Sequence, residues 1–308
     1  MNIQQLEYLL AIDKFRHFAR AAEQCRVTQP TLSMMLQKME EELGTKLIDR
    51  TAQPIRPTAI GQKVIEQARV VLYQLSLIKE LVQEEEETLK GTFRLAILPT
   101  IAPYLLPRFF QSFVEAYPSL DIRILEMKTM PSLKALQQGE VDAAIIANAP
   151  SENNLQSDRL FYEEFFGYVA RTEPIFAKPL IRTADINDER LWLLDEGHCF
   201  RDQLIRFCQM EKVKLRQAAY RLGSLETFMH MVESGNGITF IPQLATLQLN
   251  QEQQELIRPF AIPKPTREVH FVTRKDFVRF RIAETLVQSI RKAVPASMLN
   301  LQVGQKVV

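Results

Sequence analysis

Apolar residues recur at helical spacing from the start of the chain. Leu6, Leu9, Leu10 and Phe15 form one stripe, and Phe18 to Cys25 predicts a second short helix whose small residues allow close packing. Arg26-Val27 is a brief connection. Thr28 is placed to cap a third helix, with Pro30 tolerated in its first turn. Leu32, Leu36, Met39 and Leu43 should face inward there, while Thr31, Ser33, Met34, Gln37 and Lys38 face out. Two tightly joined helices, the second opening on polar side chains able to reach base edges and phosphates, follow the helix-turn-helix plan. A plain three-helix packing unit is the alternative the same pattern allows.

The rhythm then lengthens. From Ala59 to about Leu89, apolar Val64, Ile65, Ala68, Val71, Leu72, Leu75, Ile78, Leu81 and Val82 recur at spacings of three and four. This predicts one helix of about 45 Å, whose stripe must be buried, most simply against a second copy of itself. Glu84 to Glu87 reads as its solvated end, and Lys90-Gly91 as a hinge. Beyond Gly91 helices and strands alternate. Buried strands are predicted over Phe93 to Leu98, Ile122 to Met127 and Ala143 to Ala147, with helices at Tyr104 to Tyr117 and Ser132 to Gln138 between them, the βαβ plan of a parallel sheet. A second set comprises strands at Phe166 to Arg171, Leu191 to Leu194, Ile238 to Ile241 and Val269 to Thr273, and helices after Cys199, at Leu225 to Ser234 and at Phe277 to Lys292. Two linked α/β lobes place a ligand cleft between them. Pro295 to Val308 shows no pattern and is expected to be a mobile tail. The expected domains are therefore residues 1–58, 59–90 and 91–308.

Composition narrows the class more than the function. With 308 residues, 46% hydrophobic and 24% charged, the chain has the make-up of a soluble protein of two or three domains. No run approaches the roughly eighteen apolar residues of a membrane span, and the first residues lack the apolar core of a signal peptide, so a cytoplasmic location is expected. A net charge of +1 leaves any nucleic-acid binding to a local patch. Residues 1–58 carry eight lysines and arginines against seven carboxylates, so the affinity per monomer should be modest and linked copies should compensate. Three cysteines argue against a disulfide framework.

Two of those cysteines stand in the segment Gly197-His198-Cys199-Phe200-Arg201-Asp202-Gln203-Leu204-Ile205-Arg206-Phe207-Cys208. A thiol reacts as its thiolate, which neighbouring cations and a helix N-terminus favour. Cys199 lies beside His198 and Arg201, at the start of a helix predicted over about Arg201 to Met210, with Leu204, Ile205, Phe207 and Cys208 on its apolar face. Nine helical residues separate the two Cα atoms by roughly 13 Å, whereas a disulfide needs them within about 7 Å. If the two pair, the helix must unravel. Two ordinary cysteines remain the bland alternative, and Cys25 reads as a buried core thiol. His198, Cys199 and Cys208 make a poor metal site, because adjacent ligands do not easily converge on one ion; no metal and no cofactor is expected.

The run Val27 to Ser33, then Leu36, Glu40 to Gly44, Leu47 to Thr51 and Pro57 to Gly61, closely resembles the N-terminal domain of LysR-type transcriptional regulators. Ser224 to Thr227, Gly235 to Thr239 and Pro242 are similar to the later half of the same family's sensor domain. The resemblance implies a winged helix-turn-helix with a hairpin wing near Ala52 to Pro57, here poor in basic residues, then a long dimerisation helix and a two-lobed, periplasmic-binding-protein-like α/β sensor domain. The DNA-binding set expected on that plan is Gln29, Pro30, Thr31, Ser33, Lys38 and Arg50. Gly197 to Gln203 with Phe207-Cys208, together with Leu98-Pro99-Thr100 and Pro103 to Pro107, is similar to the family's hydrogen-peroxide-sensing members. This second resemblance implies a non-enzymatic redox regulator of oxidative-stress genes. Cys199 would be its peroxidatic thiol and Cys208 its resolving thiol, with Thr100, Thr129, His198 and Arg267 forming the peroxide pocket. Its implied partners are double-stranded DNA, hydrogen peroxide, RNA polymerase and further copies of the chain, as a homodimer and then a homotetramer. Two rivals make different predictions: a family member whose cleft binds a metabolite and whose cysteines are incidental, and a thiol peroxidase that turns over.

Overall fold

A computed structural model describes residues 1–84, 89–186, 190–195, 197–209 and 224–308. The chain divides into two compact units, one over residues 1–85 and the other over nearly all the rest. Among the described residues no helix is long and apolar enough to cross a membrane.

The first unit begins with helices α1 (Ile3–Phe15), α2 (Phe18–Gln24) and α3 (Gln29–Leu43). Thr28 caps α3 as the pattern predicts, its hydroxyl accepting from the Thr31 N–H; the helix ends at Gly44, in the left-handed region that favours glycine. Leu32, Leu36 and Met39 are fully buried. Leu43 is not: it is exposed, because the inward position at this turn belongs to Glu40. The buried Glu40 carboxylate accepts from the N–H groups of Leu47 and Ile48 at 2.8 and 3.2 Å and from Arg50 at 3.2 Å, tying α3 to the chain that follows. That chain forms the hairpin of β1 (Ile48–Asp49) and β2 (Arg56–Pro57), an antiparallel pair with Ile48 opposite Pro57. Cys25 is half-buried at the end of α2, more open than expected of a core thiol. Helix α4 (Ala59–Glu84) carries the long stripe, which divides in two. Ile65 and Ala68 pack into this unit's own core, whereas Val71, Ile78, Leu81 and Val82 are exposed. The expected solvated end at Glu84 to Glu87 lies outside the residues whose side chains are described.

The second unit runs β3 (Gly91–Ile97), α5 (Ala102–Ala116), β4 (Leu120–Glu126), α6 (Thr129–Gln137), β5 (Ala143–Ala147) and β6 (Leu155–Val169). It continues with α7 (Cys199–Phe207), α8 (Leu225–Glu233), β7 (Ile238–Pro242), α9 (Gln243–Thr246), α10 (Gln251–Gln254), β8 (Ile257–Pro259), β9 (Lys264–Arg274), α11 (Phe280–Ala293) and β10 (Gln305–Val307). Strand order is β4-β3-β5-β9-β6-β7, with β10 on β9 and β8 on β6.

Three expectations need correction. The sheet is mixed rather than parallel: β3 pairs in parallel with β4 and β5, but β9 runs antiparallel to β5 and to the 15-residue β6, and that long pair joins the two lobes. The first half of β6 escapes a hydrophobic reading because its start is polar and Glu163 and Glu164 sit in its apolar run; both carboxylates are buried against cations on β9, Arg267 and Lys264. Leu191 to Leu194 is no strand but makes one bridge, Leu191 to Ile238. The patternless tail carries structure: Ala296–Met298 is a 3-10 turn and β10 lies in parallel register along the start of β9.

Candidate functional site

Helix α7 is the centre of the site. His198 occupies its N-cap position with extended backbone, Cys199 its first residue and Cys208 its C-cap. Asp202 in the first turn and Arg206 in the last match the helix dipole. Phe200, Leu204 and Cys208, spaced by four, are buried together with Gln203, while Ile205 and Phe207 are half-buried. The inner face is thus rotated from the predicted one, and the helix starts two residues earlier. Both thiols are free.

The two ends differ chemically. Cys199 is half-buried. Beside it, His198 makes no capping bond; its Nε2 lies 3.1 Å from Asp195 Oδ1, and Lys128 Nζ donates to the same oxygen at 3.1 Å. Gly197 takes a positive φ against Lys128, so close that an added Cβ would touch the lysine stem at 3.6 Å. Burial, and then the Lys128 charge, push the His198 pKa down, which makes the imidazole neutral near pH 7. With Nε2–H directed at Asp195, Nδ1 is left as an acceptor. Thr129 follows Lys128 at the start of α6, and its buried hydroxyl has no partner among the described residues.

On the other side of Cys199 stands Phe200, whose ring packs 4.8 Å from that of Phe165 and 5.3 Å from the Arg267 guanidinium. Arg267 is no surface residue: it is fully buried. Its Nε donates to Glu163 Oε2 at 2.8 Å, Nη1 to the Thr100 hydroxyl at 3.0 Å and Nη2 to the Thr100 carbonyl at 2.9 Å. Glu163 also accepts from the Leu244 N–H at 3.0 Å. The N-cap position of α5 is Ile101, so Thr100 stands just before the helix. Its hydroxyl accepts from arginine, which frees its own proton for donation. Cys208, by contrast, is buried, and burial pushes its thiol up to about 12.

Thr100 and Arg267 are thus in direct contact, Lys128 shares Asp195 with His198 and precedes Thr129 in the chain, and the chain neighbours of Cys199, His198 and Phe200, touch Asp195 and Arg267 respectively. Glu163, Lys128 and Asp195 escape a reading of the sequence. Two glutamates inside an apolar strand were the one available signal, since a buried carboxylate requires a cation. In the first unit Gln29, Pro30 and Lys38 are exposed on α3, with Thr31 and Ser33 half-buried. Arg50 donates to Ser33 Oγ at 3.3 Å and lies 5.3 Å over the Phe18 ring.

Comparison with known proteins fits both units. Residues 3–62 match the bacterial regulatory helix-turn-helix proteins of the lysR family, and residues 86–295 match the LysR substrate binding domain. The chain is 34% identical over 301 residues to a hydrogen peroxide-inducible genes activator of Dickeya chrysanthemi, covering 98% of each chain. A full-length OxyR variant from Pseudomonas aeruginosa superposes with a TM-score of 0.77 at 35% identity, over 94% of this chain and 98% of that one. The OxyR structure from Porphyromonas gingivalis shares 51% identity over 71% of this chain and 99% of its own, with a TM-score of 0.66. The chain belongs to the LysR family of DNA-binding transcriptional regulators, in the group of the hydrogen peroxide-inducible genes activators.

Proposed function

We propose that the protein is a transcriptional regulator that senses hydrogen peroxide through a thiol–disulfide switch between Cys199 and Cys208 and controls oxidative-stress genes. The observation carrying this reading is the contrast between the two ends of α7: a half-buried thiol next to His198 at the first turn, and a buried, protonated thiol at the last. In the first step the Cys199 thiolate attacks one peroxide oxygen, the O–O bond breaks, and the leaving hydroxide takes a proton to become water. The Thr129 hydroxyl, the Thr100 proton and the neutral His198 ring suit the holding of a small uncharged oxidant, and the Arg267 guanidinium suits the leaving oxygen. In the second step the Cys208 sulfur displaces the hydroxyl of the Cys199 sulfenic acid, which forms the disulfide and a second water. With both cysteines at opposite ends of a helix, α7 must open for that bond to form.

In this reading residues 1–58 bind DNA as a winged helix-turn-helix through Gln29, Pro30, Thr31, Ser33, Lys38 and Arg50. Residues 59–90 join two copies along the exposed part of the α4 stripe, and residues 91–308 sense the oxidant. The protein acts in the cytoplasm as a homotetramer of paired dimers, and the opened segment alters how sensor domains pack, hence the spacing of the DNA-binding domains and the engagement of RNA polymerase. DNA footprinting of reduced and peroxide-treated protein tests the whole scheme. The footprint should change with peroxide in the parent and stay fixed in Cys199→Ser. A parent footprint that ignores peroxide but shifts with a small metabolite would replace this reading with a cleft-binding one.

A further inference from the structure

Gln203 is the one polar side chain on the buried face of α7, one turn beyond Cys199 and fully buried. Its Nε2 donates to Asn148 Oδ1 at 3.2 Å and to the Val308 backbone oxygen at 3.1 Å, and Asn148 Nδ2 points at the same oxygen at 3.4 Å. Each partner is fixed in turn. Asn148 follows β5 with a positive φ of 67°, and its N–H donates to Glu268 O at 2.8 Å. Val308 follows β10, which lies along β9 with Val307 opposite Thr266, and its N–H donates to Thr266 O at 3.1 Å. Thr266 immediately precedes Arg267. A single three-way hydrogen-bonded junction therefore connects the middle of the redox helix, the end of a strand in the first lobe, and the terminal strand docked beside the site.

The chemistry of the residue is informative. Gln203 Oε1 has no partner among the described residues, so the amide is buried at a cost that an apolar side chain would avoid. What the amide supplies instead is direction, since its donors bond only when α7 stands at one depth and one rotation. We infer that Gln203, Asn148 and the strand β10 form a latch that holds α7 in the dithiol arrangement and so sets the potential of the switch, with Gln203 a positioning residue for the thiol chemistry. The inference rests on the Cys199–Cys208 reading and extends it. Opening the helix must break the latch, so the latch favours the dithiol state.

The test is equilibration of the full chain with reduced and oxidised dithiothreitol, in which the protein dithiol and the cyclic disulfide exchange one disulfide bond for another. The fraction of Cys199–Cys208 disulfide is read by mass spectrometry. Gln203→Ala should shift the exchange constant toward the protein disulfide by about tenfold, about 30 mV. Removal of residues 305–308 should do the same, and the two changes together should give little more than either alone, because they break one junction. Asn148→Ala provides a further route should Gln203→Ala fail to fold. A merely structural role would lower the melting temperature and leave the potential where it was; unchanged potentials in folded variants overturn the latch. A parent that forms no such disulfide overturns the switch itself, and that result is visible before any variant is made.

Discussion

The two ends of α7 are nine residues apart and built on opposite principles. At the first turn a half-buried thiol follows His198, whose ring meets Asp195 and through it Lys128, and precedes Phe200, which packs on the buried Arg267. Past the last turn the thiol is buried, and burial holds it protonated. The difference teaches how two cysteines of one helix take unlike roles without unlike chemistry of their own: solvent access and neighbours decide which sulfur meets the oxidant, and the helix between them decides when the second can follow.

The contrast is sharpened most strongly by alkylation. Burial pushes the Cys208 thiol up to about 12, so hardly any of it is thiolate near neutral pH. Brief iodoacetamide treatment of the reduced protein should therefore label Cys199 while leaving Cys208 unmodified until denaturant is added; equal rates at the two sites would erase the distinction. Breaking the Cys199 end comes next. Arg267→Met strands the Glu163 carboxylate, now 1% exposed, without its cation, and should cost about 3 to 5 kcal/mol in urea unfolding. Arg267→Met with Glu163→Met should recover most of the loss in stability, but not the rate of Cys199 oxidation. The smallest effect is on pH. Burial holds His198 and His270 below the ordinary histidine pKa, so both are neutral in the fold and the unfolded chain binds more protons as pH falls. Their contribution is fully present above about pH 6.5 and is lost as pH falls through that value and then through the lower folded pKa values. The urea midpoint should be lower at pH 5.5 than at pH 7.5, and His198→Gln should flatten that dependence.

Much of this arrangement was legible in the chain. Helical spacing placed α1, α3 and the long α4, with Thr28 marking the start of α3, and the two cysteines with His198 and Arg201 beside the first singled out α7. What was missed shares a physical cause. Glu163, Glu164 and Gln203 are polar residues that face inward because their partners, Arg267, Lys264, Asn148 and Val308, come from distant parts of the sequence. Hydrophobic periodicity records burial of carbon and says nothing of a carboxylate buried against a cation. For the same reason the pattern hides the first half of β6 and predicts a parallel sheet. The tail looked patternless because β10 is short and its partner, β9, lies some forty residues earlier. Its order comes from ladder bonds rather than from an apolar stripe.

Joining the two thiols requires α7 to open. Hydrogen–deuterium exchange across residues 199–209, measured on reduced protein and on protein given one equivalent of peroxide, reads this directly. The prediction is protected amides from Gln203 to Cys208 in the reduced state, and loss of that protection in step with the appearance of the Cys199–Cys208 disulfide in the same samples. A disulfide formed with the protection of α7 unchanged would contradict it.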